Sequence, residues 1–198
     1  MPQSPAAYES AHGLLQFSPQ MANLQFRIAT PDDAPQLQQL IQAAFRAEDS
    51  RKDWVGDAEL AANFCISIDE ILPKITSPNS EMIMAFDDNG ALAGTVGVFH
   101  RNDLARLFYL AVDQTLHRGG IGRQILEYAE GYCQRTWGVK KLGLDALTLR
   151  KELIAWYMRR GYVPTGEITP FPVDKLNGRA LPEGLGFVEM EKEAKVVA

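Results

Sequence analysis

Apolar and polar residues alternate along Leu24-Gln25-Phe26-Arg27-Ile28, which predicts a strand with one buried face. Thr30-Pro31-Asp32-Asp33 then predicts a helix start: a threonine cap, a proline whose missing N–H is not needed in the first turn, and acids facing the positive helix end. Leu37, Leu40, Ile41, Ala44 and Phe45 recur at helical spacing, so one face of that helix is apolar. The charged stretch from Arg46 to Trp54 has no period and is expected to be a loop. Ser67 and Glu70 have capping-box spacing and open a short helix that Pro73 distorts or Pro78 ends. Two strand-like runs, Met82 to Phe86 and Ala91 to His100, flank Asp87-Asp88-Asn89-Gly90, where Asn-Gly tolerates the positive φ of a hairpin turn. A third run, Leu104 to Val112, extends this antiparallel sheet. Ile121, Ile125, Tyr128, Ala129 and Tyr132 mark one side of a long helix from Gly119 to Trp137. A strand from Lys141 to Leu147 and a helix from Arg150 to Arg160 follow, the helix closed by Gly161. A Pro/Gly-rich loop from Pro164 to Gly184 precedes a last strand, Leu185 to Met190. The order β-α-α-β-β-β-α-β-α-β implies an α/β (α+β) fold with a single mixed, mostly antiparallel twisted sheet flanked by helices.

Composition narrows the class. Of 198 residues, 46% are hydrophobic and 23% charged, which is ordinary globular usage. The length fits one domain over residues 21–198, led by a flexible Pro/Ser/Gln-rich segment at 1–20. A net charge of −5 argues against a nucleic-acid partner, although a local basic patch is still compatible with phosphates. No apolar run approaches a membrane span and no basic-then-apolar leader is visible, so no membrane partner and a cytoplasmic location are expected. Cys65 and Cys133 have no neighbouring histidine and are expected to be buried small apolar groups. His12 and His100 stand at no ligand spacing, so no metal is expected.

The most informative stretch is Leu110-Ala111-Val112, then a short turn, then His117-Arg118-Gly119-Gly120-Ile121-Gly122-Arg123. Unpaired amides at a helix start and the helix dipole together favour an anion, and glycines let phosphate oxygens approach the backbone closely. Arg118 and Arg123 add formal charge there. By itself the turn reads equally well as chain geometry. Two rival phosphate motifs fail: no Gly-Lys-Ser/Thr follows, and position 125 is Ile where a dinucleotide-binding turn needs a third glycine.

These residues resemble the GNAT acetyltransferase superfamily. Its Gln/Arg-x-x-Gly-x-Gly/Ala signature is matched by His117 to Gly122, with histidine in the first position. Its second motif, Asn-x-x-Ala-x-x-Phe/Leu-Tyr-x-x-x-Gly-Phe/Tyr, is approached by Arg150 to Tyr162, with arginine in place of asparagine. The resemblance implies acetyl-CoA as co-substrate and a small-molecule or peptide amine as acceptor. It implies that amides from Arg118 to Arg123, with His117 and Gly119 to Gly122, hold the pyrophosphate. The main chain of Leu110, Ala111 and Val112 would pair with the pantetheine arm. Tyr157 would protonate the departing thiolate, and an amide near Leu110 would stabilise the oxyanion if the strand is bulged there. Arg150 would stand on the coenzyme side, or reach a phosphate or an acidic substrate instead. No glutamate lies in the 104–112 strand, so deprotonation of the amine falls to water with Asp145 or Glu81. Homodimers are frequent in such proteins.

Acceptor selectivity is expected from the Arg46 to Asn63 and Pro164 to Gly184 loops, with Trp54, Glu167 and Phe171 as substrate-side residues and Asp53 and Asp57 as further acids. Lys140-Lys141 and Arg159-Arg160 read as solvated ends of elements. The resulting expectation is direct acetyl transfer to a primary amine; the alternative is a non-catalytic acyl-CoA-binding or sensor module.

Overall fold

Local hydrogen bonds start the first helices where their caps predict. The Thr30 N–H donates to the Asp33 carboxylate at 2.8 Å, and Arg27 pairs with the same carboxylate at 2.7 Å. The Ser67 N–H donates to Glu70 at 2.9 Å, and the Glu70 N–H donates to the Ser67 hydroxyl at 3.2 Å. The computed structural model describes residues 23–51, 53–116, 119–176, 178 and 180–195, so the expected lead segment lies outside the described residues.

The chain runs β1 (Gln25–Ile28), α1 (Ala34–Arg46), α2 (Ala58–Ala62), α3 (Ile68–Thr76), β2 (Ser80–Phe86), β3 (Leu92–Arg101) and β4 (Leu104–Val112). It continues through α4 (Ile121–Trp137), β5 (Lys141–Leu147), α5 (Lys151–Met158), β6 (Val163–Pro170) and β7 (Gly186–Glu193). The seven strands form one sheet in the order β1-β2-β3-β4-β5-β7-β6, antiparallel throughout except between β4 and β5. On one face Ile121, Ile125 and Ala129 of α4 pack on Ile83, Val98 and Leu107. On the other, Leu37, Ile41 and Ile71 of α1 and α3 pack on Met82 and Met84. Each such fully buried aliphatic side chain contributes about 1.5–3 kcal/mol.

Two elements differ from the sequence expectation. The stretch after Pro164 is not all loop, since β6 occupies residues 163–170. It is the edge strand and pairs only with β7, so the N–H that Pro164 lacks is not needed. The register slips between Pro164 and Ile168, which takes up Gly166. The second difference is α2, a five-residue turn of helix inside the expected 46–63 loop. Asp57 caps it by accepting from the Leu60 N–H at 2.7 Å, but it is too short to show a hydrophobic period. Helix α3 runs through Pro73 and stops at Thr76, just ahead of Pro78.

Candidate active site

The parallel neighbours β4 and β5 share only the rungs Leu104–Lys141, Ala105–Leu142 and Arg106–Gly143. Beyond them the strands part. Leu107, Phe108, Ala111 and Val112 pair outward with β3, residues 144–147 pair outward with β7, and neither set pairs with the other. A cavity of about 870 Å³ lies along the parting, lined by Leu107 to Leu110 and Val112 on one side and Leu144 to Leu147 on the other.

A bulge shapes the β4 wall. Thr95 faces Ala111 and Gly97 faces Phe108, so Val96 alone stands opposite Tyr109 and Leu110. Tyr109 adopts φ 48°, a left-handed conformation that costs a non-glycine residue about 1–2 kcal/mol. The inserted residue reverses the alternation of the strand. Ala105 and Leu107 belong to the α4 face, Phe108 and Tyr109 both lie on the α1/α3 face, and Leu110 returns to the α4 face. Gly97 makes this possible: a Cβ there would stand 2.1 Å from the Phe108 ring. The bulge leaves Tyr109 and Leu110 without paired residues on β3, beside the cavity.

At one end of the cavity stands the start of α4. Gly120 precedes it with φ 75°, and Gly120, Ile121, Gly122 and Arg123 line the cavity, whereas Gly119 does not. The first intrahelical bond there runs from the Gln124 N–H to the Gly120 carbonyl at 3.1 Å, so the preceding amides are free of the helix ladder. His117 and Arg118 lie outside the described residues. Arg160 joins this end. Contrary to the expected solvated position, its guanidinium lies 3.5 Å from the Trp156 ring centre, lines the cavity and has a buried Nε without a hydrogen-bond partner. Stacking on an aromatic one turn back holds it there. Burial, with smaller contributions from the charges of Arg159 and Arg123, lowers its pKa, while Glu127 and Glu130 act in the opposite direction.

Because a Cβ on Gly120 would meet nothing within 4 Å, a small side chain there has room in the ligand-free chain. Gly120→Ala is therefore expected to fold, at a strain cost of about 1 kcal/mol, and to weaken coenzyme A binding by about 10–100-fold by spoiling charge-assisted amide contacts. Calorimetry showing unchanged affinity removes this turn from the site.

Tyr157, on α5, lines the cavity and is 7% exposed, with Trp156 and Tyr162 packed edge-on against its ring. Burial pushes its phenol up to about 12, with smaller opposing effects from Arg150 and Asp145. Asp145, on β5, also lines the cavity. Arg106 spans Asp145 at 3.0 Å and Glu189 at 2.5 Å, and burial raises the Asp145 carboxyl despite that cation. Glu81, the other candidate base, does not line the cavity; on β2 it accepts the Tyr132 hydroxyl.

The remaining expected residues divide. Trp54 and Phe171 line the cavity, Phe171 stacking on Phe187 at 5.6 Å. Glu167 does not line it; it is exposed on the edge strand β6. Asp57 lines it, with its carboxylate engaged as the α2 cap, and Asp53 does not. Ala111 is buried in the α1/α3 face, so only its main chain can serve the site. Arg150 lines the cavity and donates from Nε to the Trp54 carbonyl at 2.9 Å, which ties the 51–57 loop to the start of α5. Cys133 is buried as expected, but Cys65 is exposed because it falls in the coil between α2 and α3. Glu70 and Lys175 pair across the cavity rim. Among the described residues no three His, Cys, Asp or Glu side chains gather as a metal site, and no helix is long and apolar enough to cross a membrane.

The fold is shared with known proteins. The model of the acetyltransferase (GNAT) family matches residues 35–162. Among solved structures, the ribosomal-protein-S18-alanine N-acetyltransferase from Escherichia coli superposes with a TM-score of 0.65 at 19% identity, covering 89% of this chain and 97% of that one. Spermidine N-acetyltransferase from Vibrio cholerae in complex with CoA and spermine gives 0.62 at 14% identity, covering 86% and 95%. A GNAT-family acetyltransferase from Streptococcus pneumoniae gives 0.58 at 22% identity, covering 86% and 99%. No curated protein matches the sequence. With its family model spanning more than half of the chain, this protein belongs to the acetyltransferase (GNAT) family.

Proposed function

We propose that the chain is an acetyl-CoA-dependent N-acetyltransferase that moves the acetyl group directly to a primary amine of a small molecule or peptide. The observation that carries this reading is the bulged β4 edge facing β5 across the cavity, with Tyr157 on the wall and the α4 amides at one end. An extended pantetheine arm fits a parted pair of strands because each exposed edge offers main-chain donors and acceptors. An anionic diphosphate fits the α4 end, where Arg160 has a buried Nε without a partner.

Each residue then has a definite task. The Gly120 to Arg123 amides and Arg160 bind the phosphates. The Leu110 region donates to the thioester oxygen as negative charge develops on it. Asp145 takes the proton of the attacking amine, directly or through water. As the new C–N bond forms and the C–S bond breaks, Tyr157 gives its proton to the departing sulfur. The ordering of amine against thioester supplies much of the rate.

The test is thiol release from acetyl-CoA across primary amines, polyamines and peptides with free N-termini, with mass spectrometry of the amine. Amine-dependent release with a matching gain of one acetyl group on the amine is expected. Binding of acetyl-CoA without such release would make the chain a non-catalytic acyl-CoA sensor. A stable acetyl group on the protein itself would overturn direct transfer.

A further inference from the structure

The cations on the cavity wall are not alike. Arg51 pairs with Asp49, Lys175 with Glu70, and Arg123 with Glu127 at 3.8 Å. Arg160 lies on Trp156 at the α4 end. Arg150 belongs to neither group. Among the described residues its side chain has no ion-pair partner, and its one side-chain hydrogen bond uses Nε, toward the Trp54 carbonyl at 2.9 Å. Asp49, an acid that acts on it, is already engaged by the Arg51 side chain at 2.8 Å. Burial lowers the Arg150 pKa and Arg51 adds to the effect, yet a guanidinium keeps its charge in proteins. An unpaired charge out of water is costly unless something supplies the counter-charge. The backbone carbonyl fixes the orientation of the planar group and leaves its terminal N–H donors for a ligand, in the fork geometry that suits a carboxylate.

A second charge completes the pattern. Asp145 lines the same cavity, and both Arg150 and Asp145 act on Tyr157, one lowering and one raising its pKa. The wall around the proposed acid thus carries the carboxylate of Asp145 and two cations within electrostatic reach of it, Arg150 and, toward the α4 end, Arg160. That is the complement of a ligand bearing both a carboxylate and an amine.

We infer that Arg150 receives a carboxylate of the acceptor, so that the substrate class is amino-acid-like: a primary amine with a carboxylate a few bonds away. This deepens the transferase reading and rests on it. It assigns Arg150 to the acceptor and not to the coenzyme.

The experiment compares amino acids with their matched carboxamides as acceptors. In the parent enzyme kcat/KM is expected to be about 10²-fold higher for the acids, the scale of a charged partner lost from a buried pair. Arg150→Gln keeps a donor for the Trp54 carbonyl and should bring the acid-to-amide ratio down to within about threefold. Arg150→Lys should restore part of the preference, since charge survives without the fork. Thermal melting confirms that each variant is folded. Equal turnover of acids and amides by the parent overturns the inference while leaving acetyl transfer standing. So does an Arg150→Gln variant that loses acids and amides alike and raises the acetyl-CoA KM, which would place Arg150 on the coenzyme. Calorimetry of the same acids and amides with coenzyme A present reads the preference without turnover. Acid-selective, Arg150-dependent binding without thiol release would overturn the transferase reading and support the carboxylate site; equal binding would overturn the site itself.

Discussion

Tyr157→Phe is expected to lower kcat by about 10²–10⁴, the usual span for loss of a general acid. The KM for acetyl-CoA should change far less, because the lost interaction belongs to the transition state. Stability should hardly move. Among the described residues the Tyr157 hydroxyl has no hydrogen bond, and the ring keeps its edge-on contacts with Trp156 and Tyr162 in the variant. With the phenol pushed up to about 12 by burial, the acid stays protonated through the working range. The parent enzyme should therefore show no alkaline limb from this group below about pH 10. A variant that turns over at the parent rate would make Tyr157 a packing residue whose thiolate leaves unaided. A large fall in melting temperature would show that the hydroxyl had been holding structure.

Asp145→Asn is expected to cost about 10²-fold in kcat/KM and to remove an acidic limb from the pH profile. The sign follows from the raised carboxyl. As pH falls through a value above the usual carboxylate range, Asp145 takes up a proton and can no longer accept one from the amine. Arg106 keeps Glu189 as a partner at 2.5 Å in the variant, so the base of the cleft stays neutralised. An unchanged limb together with the parent rate would hand the proton to water alone.

How much of this was legible depended on the range of the signal. Caps and tight turns are local, so Thr30, Ser67 and Asp87 to Gly90 announced their elements. In the turn, Asp87 exchanges backbone bonds with Ala91 and Gly90 at 2.9 and 3.0 Å. β6 was hidden because Pro164, Gly166 and Pro170 are turn residues by composition, and only its place at the sheet edge makes them tolerable. The bulge was hidden for another reason: Leu107-Phe108-Tyr109-Leu110 is uniformly apolar, so there was no alternation for an extra residue to break. Its one sequence trace is Gly97, readable only once the strand register is known. Arg160 departs from the solvated position that a charge pair at a helix end suggests. Trp156 stands four residues earlier, within the last turn of α5, and that spacing carries the information. In the sequence Arg150 shows only as a departure from a motif; that its side chain makes no ion pair among the described residues is visible only in the fold.

The short β4–β5 ladder bears on how the whole chain holds together. Three parallel rungs join a meander of β1 to β4 to a second unit of β5, β7 and β6. This junction has the fewest paired residues of any in the sheet, while Leu107, Leu142 and Leu144 share one core cluster across it. A pantetheine arm lying in the parting would bond to both edges and splice the units into one continuous sheet. By mass action, saturating coenzyme at about a hundred times its Kd would then add about 2.7 kcal/mol to the resistance against unfolding.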